Sequence, residues 1–533
     1  MTKDYSALQN GSDIRGVAMG PADKVILTAE AVSRLAEGFL CMLINTCGKP
    51  APEIKIAVGR DSRLTGEALE QAICRTLSAR GALVLSCGLA STPAMFMSTA
   101  FPEFGCTGAI MITASHMPSV YNGLKFFNAS GGLNKEDITD IINFAESDRI
   151  LAETETLHDN TSDIVHADLM SRYAKHLRDI IRAGCRAANA SDRRDCSTDC
   201  DPDDFSDAPA YDDSGCRPLS RLKITVDAGN GAGGFYATEV LEPLGADISS
   251  SQFLQPDGTF PNHIPNPENQ EAMSSVRSAV LASGSDLGLI FDTDVDRASA
   301  VDENGREINR NRIVAFAAAL IADDNPGTTV VTDSVTSPSL TDFLEHLGLR
   351  HLRYKRGYRN VINKAIELNK AGTDSALAIE TSGHAAYREN YFLDDGAYLA
   401  TKIVVQAAKL KSRNRHISSV ISDMTDPVEE YEVRLPITDS DFAAESDAIL
   451  AFLSNTVSSG GLAGAELETP NYEGVRISFT SADTDGWLLI RKSLHEPIMP
   501  VNMESNVPGG CSNIRSALRS LLSGFPSLDI SKL

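Results

Sequence analysis

A serine, a histidine and a lysine lie close together in the stretch MITASHMPSVYNGLKFF, residues 111–127. An apolar run, GAIMI, leads to Ser115 and His116, and Lys125 follows beyond an Asn-Gly pair. Serine is a weak nucleophile that needs a neighbouring base or cation to activate it. His116 and Lys125 are of suitable type, and we expect a turn at Asn122-Gly123 to fold Lys125 back towards the serine. Ser115 is therefore a candidate for covalent chemistry.

Three aspartates are the strongest single signal for chemistry. Asp292, Asp294 and Asp296 alternate in LGLIFDTDVDR, directly after an apolar strand pattern. In an extended segment alternate residues project to the same side, so we expect the three carboxylates to converge. Converging carboxylates repel one another unless a cation lies between them, and such oxygen ligands suit Mg²⁺. Arg297, next to them, offers a fork for a phosphate group.

Two other kinds of site also use alternating aspartates. An EF-hand calcium loop begins D-x-D-x-D, but Arg297 stands at the sixth position, where that loop needs glycine, and a strand rather than a helix precedes it. We reject that interpretation. A phosphatase of the haloacid-dehalogenase type has an aspartate nucleophile after a strand and an acidic aspartate at the next-but-one position. Asp292 and Asp294 fit that pattern, although Asp296 occupies a position where Thr or Val is expected, so this alternative stays open.

A phosphorylated serine would connect the two motifs. The hydrolase pattern G-x-S-x-G occurs nowhere in the chain, which weakens an acyl-transfer interpretation of Ser115. A phosphoserine carries about two negative charges, for which a Mg²⁺ site of three aspartates is a suitable partner. The sequence therefore favours phosphoryl transfer, which depends on positioning and charge neutralisation.

Alternating strand and helix patterns position these motifs. One series begins at IKIAVGRDSR (residue 54) and ends at Ser115, and a second runs from LKITVDAGNGAGG to Asp292. A third runs from GTTVVTDSV to ALAIETSGH. Such alternation predicts α/β units around mixed or parallel sheets. After Pro427, VEEYEVRLPI, VRISFTS and DGWLLIRKS predict strands and residues 440–455 a helix, which indicates a smaller α+β domain.

We therefore predict an α/β fold: three consecutive α/β domains with mixed sheets and a smaller C-terminal α+β domain, around a central cleft. The predicted domains are residues 1–220, 221–325, 326–426 and 427–533. Residues 186–218 contain nine aspartates between positions 192 and 213, with little apolar periodicity. This composition predicts a disordered acidic insertion in the first domain, because it buries too little apolar surface to fold. Its cysteines, Cys196, Cys200 and Cys216, lack the further ligand that a zinc site needs.

The net charge of −24 and the pI near 4.8 argue against a nucleic-acid or anionic-membrane partner. No run reaches the length of a membrane span, and the N-terminus shows no signal or transit peptide. Ten cysteines in 533 residues are too sparse for a disulfide framework. We expect a cytoplasmic protein, a monomer or weak homodimer; a plastid location stays open if a transit peptide is missing from this chain.

Four segments together resemble the α-D-phosphohexomutase family, which includes phosphoglucomutases, phosphomannomutases and phosphoglucosamine mutases. TASHMPSVYNGLK, DTDVDR, ETSGH and RKSLHEP occur in that family's order and spacing. SDIRG, GRDSR, VDAGNGAGG and PDGTFPNHIPNP extend the resemblance over essentially the whole chain. It implies that the four domains carry, in turn, a phosphoserine loop, a metal-binding loop, a sugar-binding loop and a phosphate-binding loop.

The resemblance also implies roles for individual residues. Ser115 resembles the phosphoserine, with one phosphoserine oxygen completing the Mg²⁺ sphere of Asp292, Asp294 and Asp296. The residues implied to position the transferring phosphate are Arg15, His116, Lys125 and Arg297. The residues implied to bind the sugar are Glu380, Ser382 and His384 of ETSGH, and Arg356, Gly357 and Tyr358 of YKRGYRN. The residues implied to hold the non-transferring phosphate are Arg491, Ser493 and His495.

The expected activity is a Mg²⁺-dependent interconversion of hexose 1-phosphate and hexose 6-phosphate, of glucose or mannose. The reaction would pass through the phosphoserine and a hexose 1,6-bisphosphate, which also serves as activator. Lys125 and His384 are both candidates for the general base. Met117, Ile379 and His495 depart from the family's usual residues and indicate a divergent branch, so sugar preference stays open. The alternatives are a phosphoglucosamine mutase, an Asp292-dependent phosphatase and a non-catalytic homologue that binds sugar phosphates.

Overall fold

The computed structural model describes residues 4–147, 164–194, 217–493 and 496–533, with side chains in the helix at 169–194 described up to residue 186. The described chain forms two compact units. Unit 1 comprises Met1–Leu320 and Ser382–Val420, and unit 2 comprises Ile321–Thr381 and Ile421–Leu533.

The described strands and helices follow in chain order. The strands are β1 (Gln9–Asn10), β2 (Asp13–Val17), β3 (Lys55–Arg60), β4 (Leu83–Leu89), β5 (Gly108–Ile112), β6 (Tyr121–Asn128), β7 (Gly131–Gly132), β8 (Ile164–His166), β9 (Ile224–Asp227), β10 (Leu287–Phe291), β11 (Ala298–Asp302), β12 (Glu307–Ile308), β13 (Thr329–Thr332), β14 (Arg350–Arg353), β15 (Leu377–Ile379), β16 (Ala385–Tyr387), β17 (Leu393–Asp394), β18 (Glu429–Pro436), β19 (Ala465–Leu467), β20 (Val475–Phe479), β21 (Gly486–Ile490) and β22 (Ile498–Ser505). The α-helices are α1 (Ala29–Cys47), α2 (Gly66–Ala79), α3 (Thr92–Ala100), α4 (Lys135–Glu146), α5 (Leu169–Arg194), α6 (Gln270–Ser283), α7 (Asn311–Ala319), α8 (Pro338–His346), α9 (Tyr358–Lys370), α10 (Gly396–Ser412), α11 (Phe442–Ser458) and α12 (Gly510–Leu522).

The first sheet of unit 1 is mixed, as predicted. Its order is β1-β2-β6-β5-β3-β4-β8, with β7 beside β6. Strand β3 is parallel to β4 and β5, whereas β6 is antiparallel to β5 and β2. Apolar residues of this sheet and of α1, α2 and α4 form one buried core. Strand β5 is buried throughout, and the chain leaves its carboxyl end at the loop that contains Ser115.

The turn expected at Asn122-Gly123 is not present. Both residues lie inside β6, where Gly123 pairs with Arg15 of β2. A Cβ atom on Gly123 would lie 2.2 Å from the carbonyl oxygen of Ile14 and 2.7 Å from that of Thr113. Gly123 is therefore explained by this close approach of backbones, and the chain reverses before Tyr121 instead.

The second sheet of unit 1 has the order β12-β11-β10-β9. Strand β10 runs parallel to β9 and antiparallel to β11. The glycine-rich segment after β9 leads, as predicted, into a helical segment, but Tyr236–Leu241 is a π-helical turn rather than an α-helix. The three aspartates follow the buried strand β10 directly.

Unit 2 contains parallel and antiparallel strands in separate groups. Strand β13 is parallel to β14 and to β15. These three strands belong to the third α/β series that the sequence predicts. The later strands pair antiparallel in the order β18-β22-β21-β20-β19, and residues of these strands and of α11 and α12 form a buried core. The predicted α/β class with a C-terminal α+β part is confirmed, whereas the four domain boundaries and the central cleft stay predictions.

Helix α5 enters the segment that was predicted to be a disordered insertion. It continues to Arg194, so the first residues after 186 are helical. Alanine and arginine there are good helix formers, and they extend the amphipathic helix that precedes them. Residues 195–216 lie outside the described residues. Among the described helices, none combines the length and the apolar character that crossing a membrane requires.

We expect His351 to make the stability of unit 2 depend on pH. Its Nε2 and Nδ1 atoms lie 2.8 Å from the hydroxyls of Thr332 and Thr341. Burial, together with the charges of Arg353 and Arg476, lowers the pKa of His351 to about 3. The unfolded chain binds this proton near pH 6.5, so the free energy of unfolding falls as pH falls below about 6.5. Between pH 7 and pH 5 the loss should be about 1–2 kcal/mol.

The measurement is urea unfolding at both pH values, followed by the fluorescence of the sole tryptophan, Trp487, which lies in unit 2. A His351→Gln variant cannot titrate at this position and should lose less stability between the two pH values. An equal loss in the two proteins would contradict the assignment.

Candidate functional site

Ser115 lies in the loop after β5, buried and in an unusual backbone conformation. Its φ is 48°, in the left-handed region that residues other than glycine seldom adopt. The hydroxyl donates to Asp292 Oδ2 over 2.9 Å and accepts from Arg297 over 3.1 Å. The structure thus brings the serine motif and the aspartate motif together, although they are far apart in the sequence.

The three aspartates converge, as predicted. Carboxylate oxygens of Asp292, Asp294 and Asp296 lie within 4.8 Å of one another, and all three residues are buried. They do not lie in the extended segment that the prediction assumed. The chain turns here, and Val295 adopts a φ of 68°. The turn, rather than strand alternation, directs the carboxylates to one point.

The donor set of this cluster suits a hard divalent cation. Asp294 Oδ1 and Asp296 Oδ1 are buried and have no hydrogen-bond partner among the described residues. Burial, and repulsion from Asp296 and Asp294, raise the pKa of Asp292 well above its usual range. Carboxylate oxygens that lack partners are the ligands that Mg²⁺ prefers, and a bound cation would relieve the repulsion.

Lys125 reaches the aspartates from β6. Its ammonium donates to Asp294 Oδ2 over 3.0 Å and to Asp296 Oδ2 by a shorter contact. Burial alone would raise the pKa of Asp296, but the charge of Lys125, with those of His384 and Arg297, lowers it. The pairing of β6 with β5 therefore places Lys125 at the site, where its side chain forms ion pairs with the aspartates.

Arg297 joins the aspartates to both residues of the serine motif. Its Nε lies 3.1 Å from Asp292 Oδ2, and its guanidinium lies 2.6 Å from Nδ1 of His116. At this distance Nδ1 must accept the hydrogen bond. The charge of Arg297, burial and the charge of Arg15 lower the pKa of His116, so its imidazole is held neutral.

His384 forms an ion pair that sequence reasoning missed. Its Nδ1 lies 2.5 Å from Asp394 Oδ2 and 3.9 Å from Asp296 Oδ1. Burial alone would lower the pKa of His384, but Asp394 and Asp296 raise it to about 9. His384 is therefore a cation near neutral pH. An acidic pair, Asp394-Asp395, directly after a short apolar run was the available signal for this partner.

Two further residues complete the surroundings of the serine loop. Arg15 of β2 donates to the carbonyl of Thr113 over 2.7 Å and pairs with Asp13 at the same distance. Thr92, which sequence reasoning also missed, lies at the start of α3. Its hydroxyl donates to Asp294 Oδ2 over 2.5 Å, and its N–H donates to the carbonyl of Asp294 over 2.8 Å. Thr92 therefore ties the aspartate loop to the first sheet.

The predicted sugar-binding residues divide between the two units. Ser382 and His384 belong to unit 1, whereas Arg356, Gly357, Tyr358 and Glu380 belong to unit 2. Within unit 2, Glu380 Oε1 accepts the N–H of Gly357 over 2.6 Å, and Tyr358 is the first residue of α9. This hydrogen bond joins two of the predicted sugar-binding segments within unit 2.

Arg491 and Ser493 follow β21 in unit 2. Burial, and the nearby charge of Arg356, lower the pKa of Arg491. Its Nε is buried without a hydrogen-bond partner among the described residues, and its NH1 lies 4.0 Å from Glu473 Oε1. An arginine nitrogen without such a partner and a second guanidinium charge nearby favour an anionic ligand at Arg491, although Glu473 and Asp333 already oppose part of this positive charge. Glu473, absent from the predicted site, also accepts the N–H of Arg356 over 3.1 Å. His495 lies outside the described residues.

Comparisons with known proteins identify similar chains over most of this length. Three family models, described as phosphoglucomutase/phosphomannomutase alpha/beta/alpha domains I, II and III, match residues 7–149, 208–305 and 309–427. A phosphomannomutase/phosphoglucomutase of Pseudomonas syringae is 29% identical over 480 residues, covering 90% of this chain and 89% of the relative. A phosphoglucomutase of Neisseria meningitidis is 26% identical over 475 residues, covering 89% of this chain and 90% of the relative.

A solved structure shares the fold over nearly the whole chain. A phosphoglucomutase/phosphomannomutase family protein of Burkholderia thailandensis matches with a TM-score of 0.73 at 24% identity. The match covers 98% of each chain. At this level of identity the likeness concerns the fold alone.

We expect the aspartate cluster to bind divalent cations in the absence of any sugar. Titration with Mn²⁺ as the probe, followed by electron paramagnetic resonance, should detect a bound ion. Asp294→Asn or Asp296→Asn should weaken binding by about 10-fold or more, because each removes a charged ligand. Asp23→Asn, at an exposed position, is the matched control and should bind like wild type. Equal affinities in all four proteins would place the cation elsewhere.

Proposed function

The chain belongs to the phosphoglucomutase/phosphomannomutase family, a group of phosphohexomutases, and from this we propose a specific activity and mechanism for it. The protein interconverts hexose 1-phosphate and hexose 6-phosphate of glucose, of mannose or of both. Ser115 carries the phosphoryl group, a hexose 1,6-bisphosphate is the intermediate, and the reaction depends on Mg²⁺.

The position of the Ser115 hydroxyl is the observation that carries this proposal. It lies between Asp292 Oδ2 at 2.9 Å and the Arg297 guanidinium at 3.1 Å. A phosphoryl group on this oxygen would bring negative charge beside a carboxylate cluster, which requires a cation. The same group would meet Arg297, whose planar fork suits phosphate oxygens. A buried serine with a purely structural role does not require a carboxylate cluster and a guanidinium beside its hydroxyl.

Asp292, Asp294 and Asp296 are the residues proposed to hold Mg²⁺, together with an oxygen of the phosphorylated serine. Magnesium bound there would neutralise charge on the phosphoryl group and stabilise its transfer. Lys125 and Arg297 supply positive charge from the protein itself and keep the unphosphorylated cluster together.

The transfer exchanges one phosphate ester for another. A hydroxyl of the bound sugar attacks phosphorus, the bond from phosphorus to Ser115 Oγ breaks, and the hydroxyl proton passes to a base. The other phosphate of the resulting bisphosphate then returns to Ser115. Both candidate proton carriers are cations in the resting structure: Lys125 pairs with aspartates, and the pKa of His384 is raised to about 9 by Asp394 and Asp296 against the effect of burial. Lys125 or His384 can serve as the base only after losing its proton. In the protonated state, either residue can act as the acid instead.

Unit 2 is proposed to hold the phosphate that is not being transferred. Arg491, Ser493 and His495 are the residues assigned to this phosphate, and Arg356, Gly357, Tyr358 and Glu380 to the sugar, with Ser382 and His384 of unit 1. The two guanidinium groups of Arg356 and Arg491 support this assignment, because their mutual repulsion would be relieved by a bound phosphate.

The names of the relatives support glucose and mannose phosphates as substrates. Glucosamine phosphate is the alternative within the family, since sugars that differ at one position are distinguished by few contacts. A cytoplasmic location and a monomeric or weakly dimeric state stay predictions.

Ser115→Ala should abolish mutase turnover, because it removes the hydroxyl that lies beside Asp292 and Arg297 and is proposed to accept the phosphate. The assay supplies Mg²⁺, glucose 1-phosphate and a trace of glucose 1,6-bisphosphate, and couples glucose 6-phosphate to its dehydrogenase. Ser119→Ala, in the same loop, is the matched control and should retain activity. Mass spectrometry should locate phosphate on Ser115 after incubation with the bisphosphate.

Other outcomes of this assay identify the alternatives. Release of free phosphate that survives Ser115→Ala but not Asp292→Asn would indicate the phosphatase. Absence of turnover with glucose, mannose and glucosamine phosphates, with binding retained, would indicate a non-catalytic homologue.

Arg491→Met should raise KM for glucose 1-phosphate by about 10–100-fold, since a hydrogen bond between charged groups contributes about 1.5–3 kcal/mol. Lys492→Met is the control: this neighbouring lysine pairs with Asp447 at 2.8 Å instead. Steady-state kinetics of the two variants separate a specific phosphate contact from general loss of charge. A similar rise in KM for both would contradict the assignment of Arg491.

A further inference from the structure

A single buried arginine holds the backbone of the serine loop. The Arg63 side chain is fully buried, and its guanidinium donates to four main-chain carbonyls of this loop. The acceptors, with their distances, are Ser115 (2.5 Å), Met117 (2.6 Å), Pro118 (2.9 Å) and Tyr121 (2.8 Å). These contacts span the loop from the nucleophile to the start of β6.

Asp61 connects this arginine to the other side of Ser115. Its Oδ2 lies 3.3 Å from Arg63 Nε and accepts the hydroxyl of Thr113 over 2.7 Å. The Thr113 hydroxyl oxygen in turn accepts the N–H of Ser115 over 2.9 Å. The N–H and the C=O of the serine are therefore both held by one network of three side chains.

The backbone of Ser115 needs such support. With φ at 48°, it occupies a conformation that persists in a residue with a Cβ only where surrounding contacts determine it. A guanidinium taken out of water is costly unless its donors are satisfied. Here the loop carbonyls accept hydrogen bonds from both terminal nitrogens, and the carboxylate of Asp61 lies 3.3 Å from Nε, so Arg63 and the loop stabilise each other.

A second loop covers this network. Gly258 packs so closely on the turn after β3 that a Cβ would lie 2.5 Å from the carbonyl of Ser62. The ring of Phe260 lies over the Arg63 guanidinium, 5.4 Å from ring centroid to Cζ. Gly258 and Phe260 of the segment PDGTFPNHIPNP therefore help to shield the buried Arg63 from water.

We propose that Arg63 and Asp61, acting through Thr113, are positioning residues for phosphoryl transfer at Ser115. They hold the serine in the backbone conformation that directs its hydroxyl to Asp292 and Arg297. This inference rests on the proposed role of Ser115 as phosphate carrier. A displacement of a reacting atom by about 1 Å can lower a rate by about 100-fold, so a loosened loop slows transfer while leaving sugar binding intact.

The test compares Arg63→Lys, which keeps the charge but loses the fork, with Thr113→Val, which removes only the hydroxyl. Both should lower kcat, and the rate at which glucose 1,6-bisphosphate phosphorylates Ser115, by about 100-fold, with KM within about 3-fold of wild type. Thr113→Ser restores the hydroxyl and should recover most of the rate. Arg75→Lys, on the exposed face of α2, is the matched control and should behave as wild type.

Hydrogen exchange gives a readout independent of activity. The amides of residues 113–121 should exchange faster in Arg63→Lys and Thr113→Val, while Mn²⁺ affinity stays at the wild-type value and shows that the aspartate cluster is intact. Unchanged kcat and exchange in Thr113→Val would overturn the proposal, as would equal losses in Thr113→Val and Thr113→Ser. An inactive wild type that acquires no phosphate at Ser115 would instead overturn the proposed function itself.

Discussion

Repulsion among three buried carboxylates is the interaction on which the site in unit 1 depends. Asp292, Asp294 and Asp296 share one small volume from which water is excluded. Such a cluster is stable only where positive charge surrounds it. Lys125 and Arg297 pair with it directly, and His384, made a cation by Asp394, lies beside it. Three cations therefore lie among the three aspartates before any metal is considered, and one of them, His384, is itself paired with a fourth aspartate, Asp394.

This arrangement suits a reaction that transfers a negatively charged group to and from the site. The proposed phosphoryl group on Ser115 would add negative charge at a hydroxyl that already lies between a carboxylate and a guanidinium. Fixed positive groups stabilise that charge without having to reorganise during transfer. Burying these ions costs free energy, because charged groups are more stable in water, and the packing of the fold must offset that cost.

The elements that hold these ions come from several parts of unit 1. The serine loop follows β5, the aspartates follow β10, and Lys125 lies on β6, the antiparallel neighbour of β5. Thr92 ties the aspartate loop to the start of α3, and Arg63 ties the serine loop to the end of β3. Side chains and backbone are thus fixed by different residues: cations hold the carboxylates, whereas Arg63 and Thr113 hold the peptide groups of Ser115.

The sequence by itself determined the fold class and the buried strands that precede Ser115 and the three aspartates, and it singled out the candidate motifs. Apolar periodicity and the alternation of strands with helices are local properties that can be read from the sequence. Ser115 and the aspartates are recognisable in the same way, from their residue types directly after apolar strands. Only the tertiary structure decided which groups meet. Asn122-Gly123 is typical of a turn, yet it lies within β6, because Gly123 is required where backbones approach closely. Asp394 and Arg63 lie in short local patterns, the acidic pair after an apolar run and GRDSR, but these patterns do not name their partners. The folded chain alone brings Asp394, Thr92 and Arg63 to those partners, since hydrogen bonds and charge pairing depend on distance in space, whatever the separation in sequence.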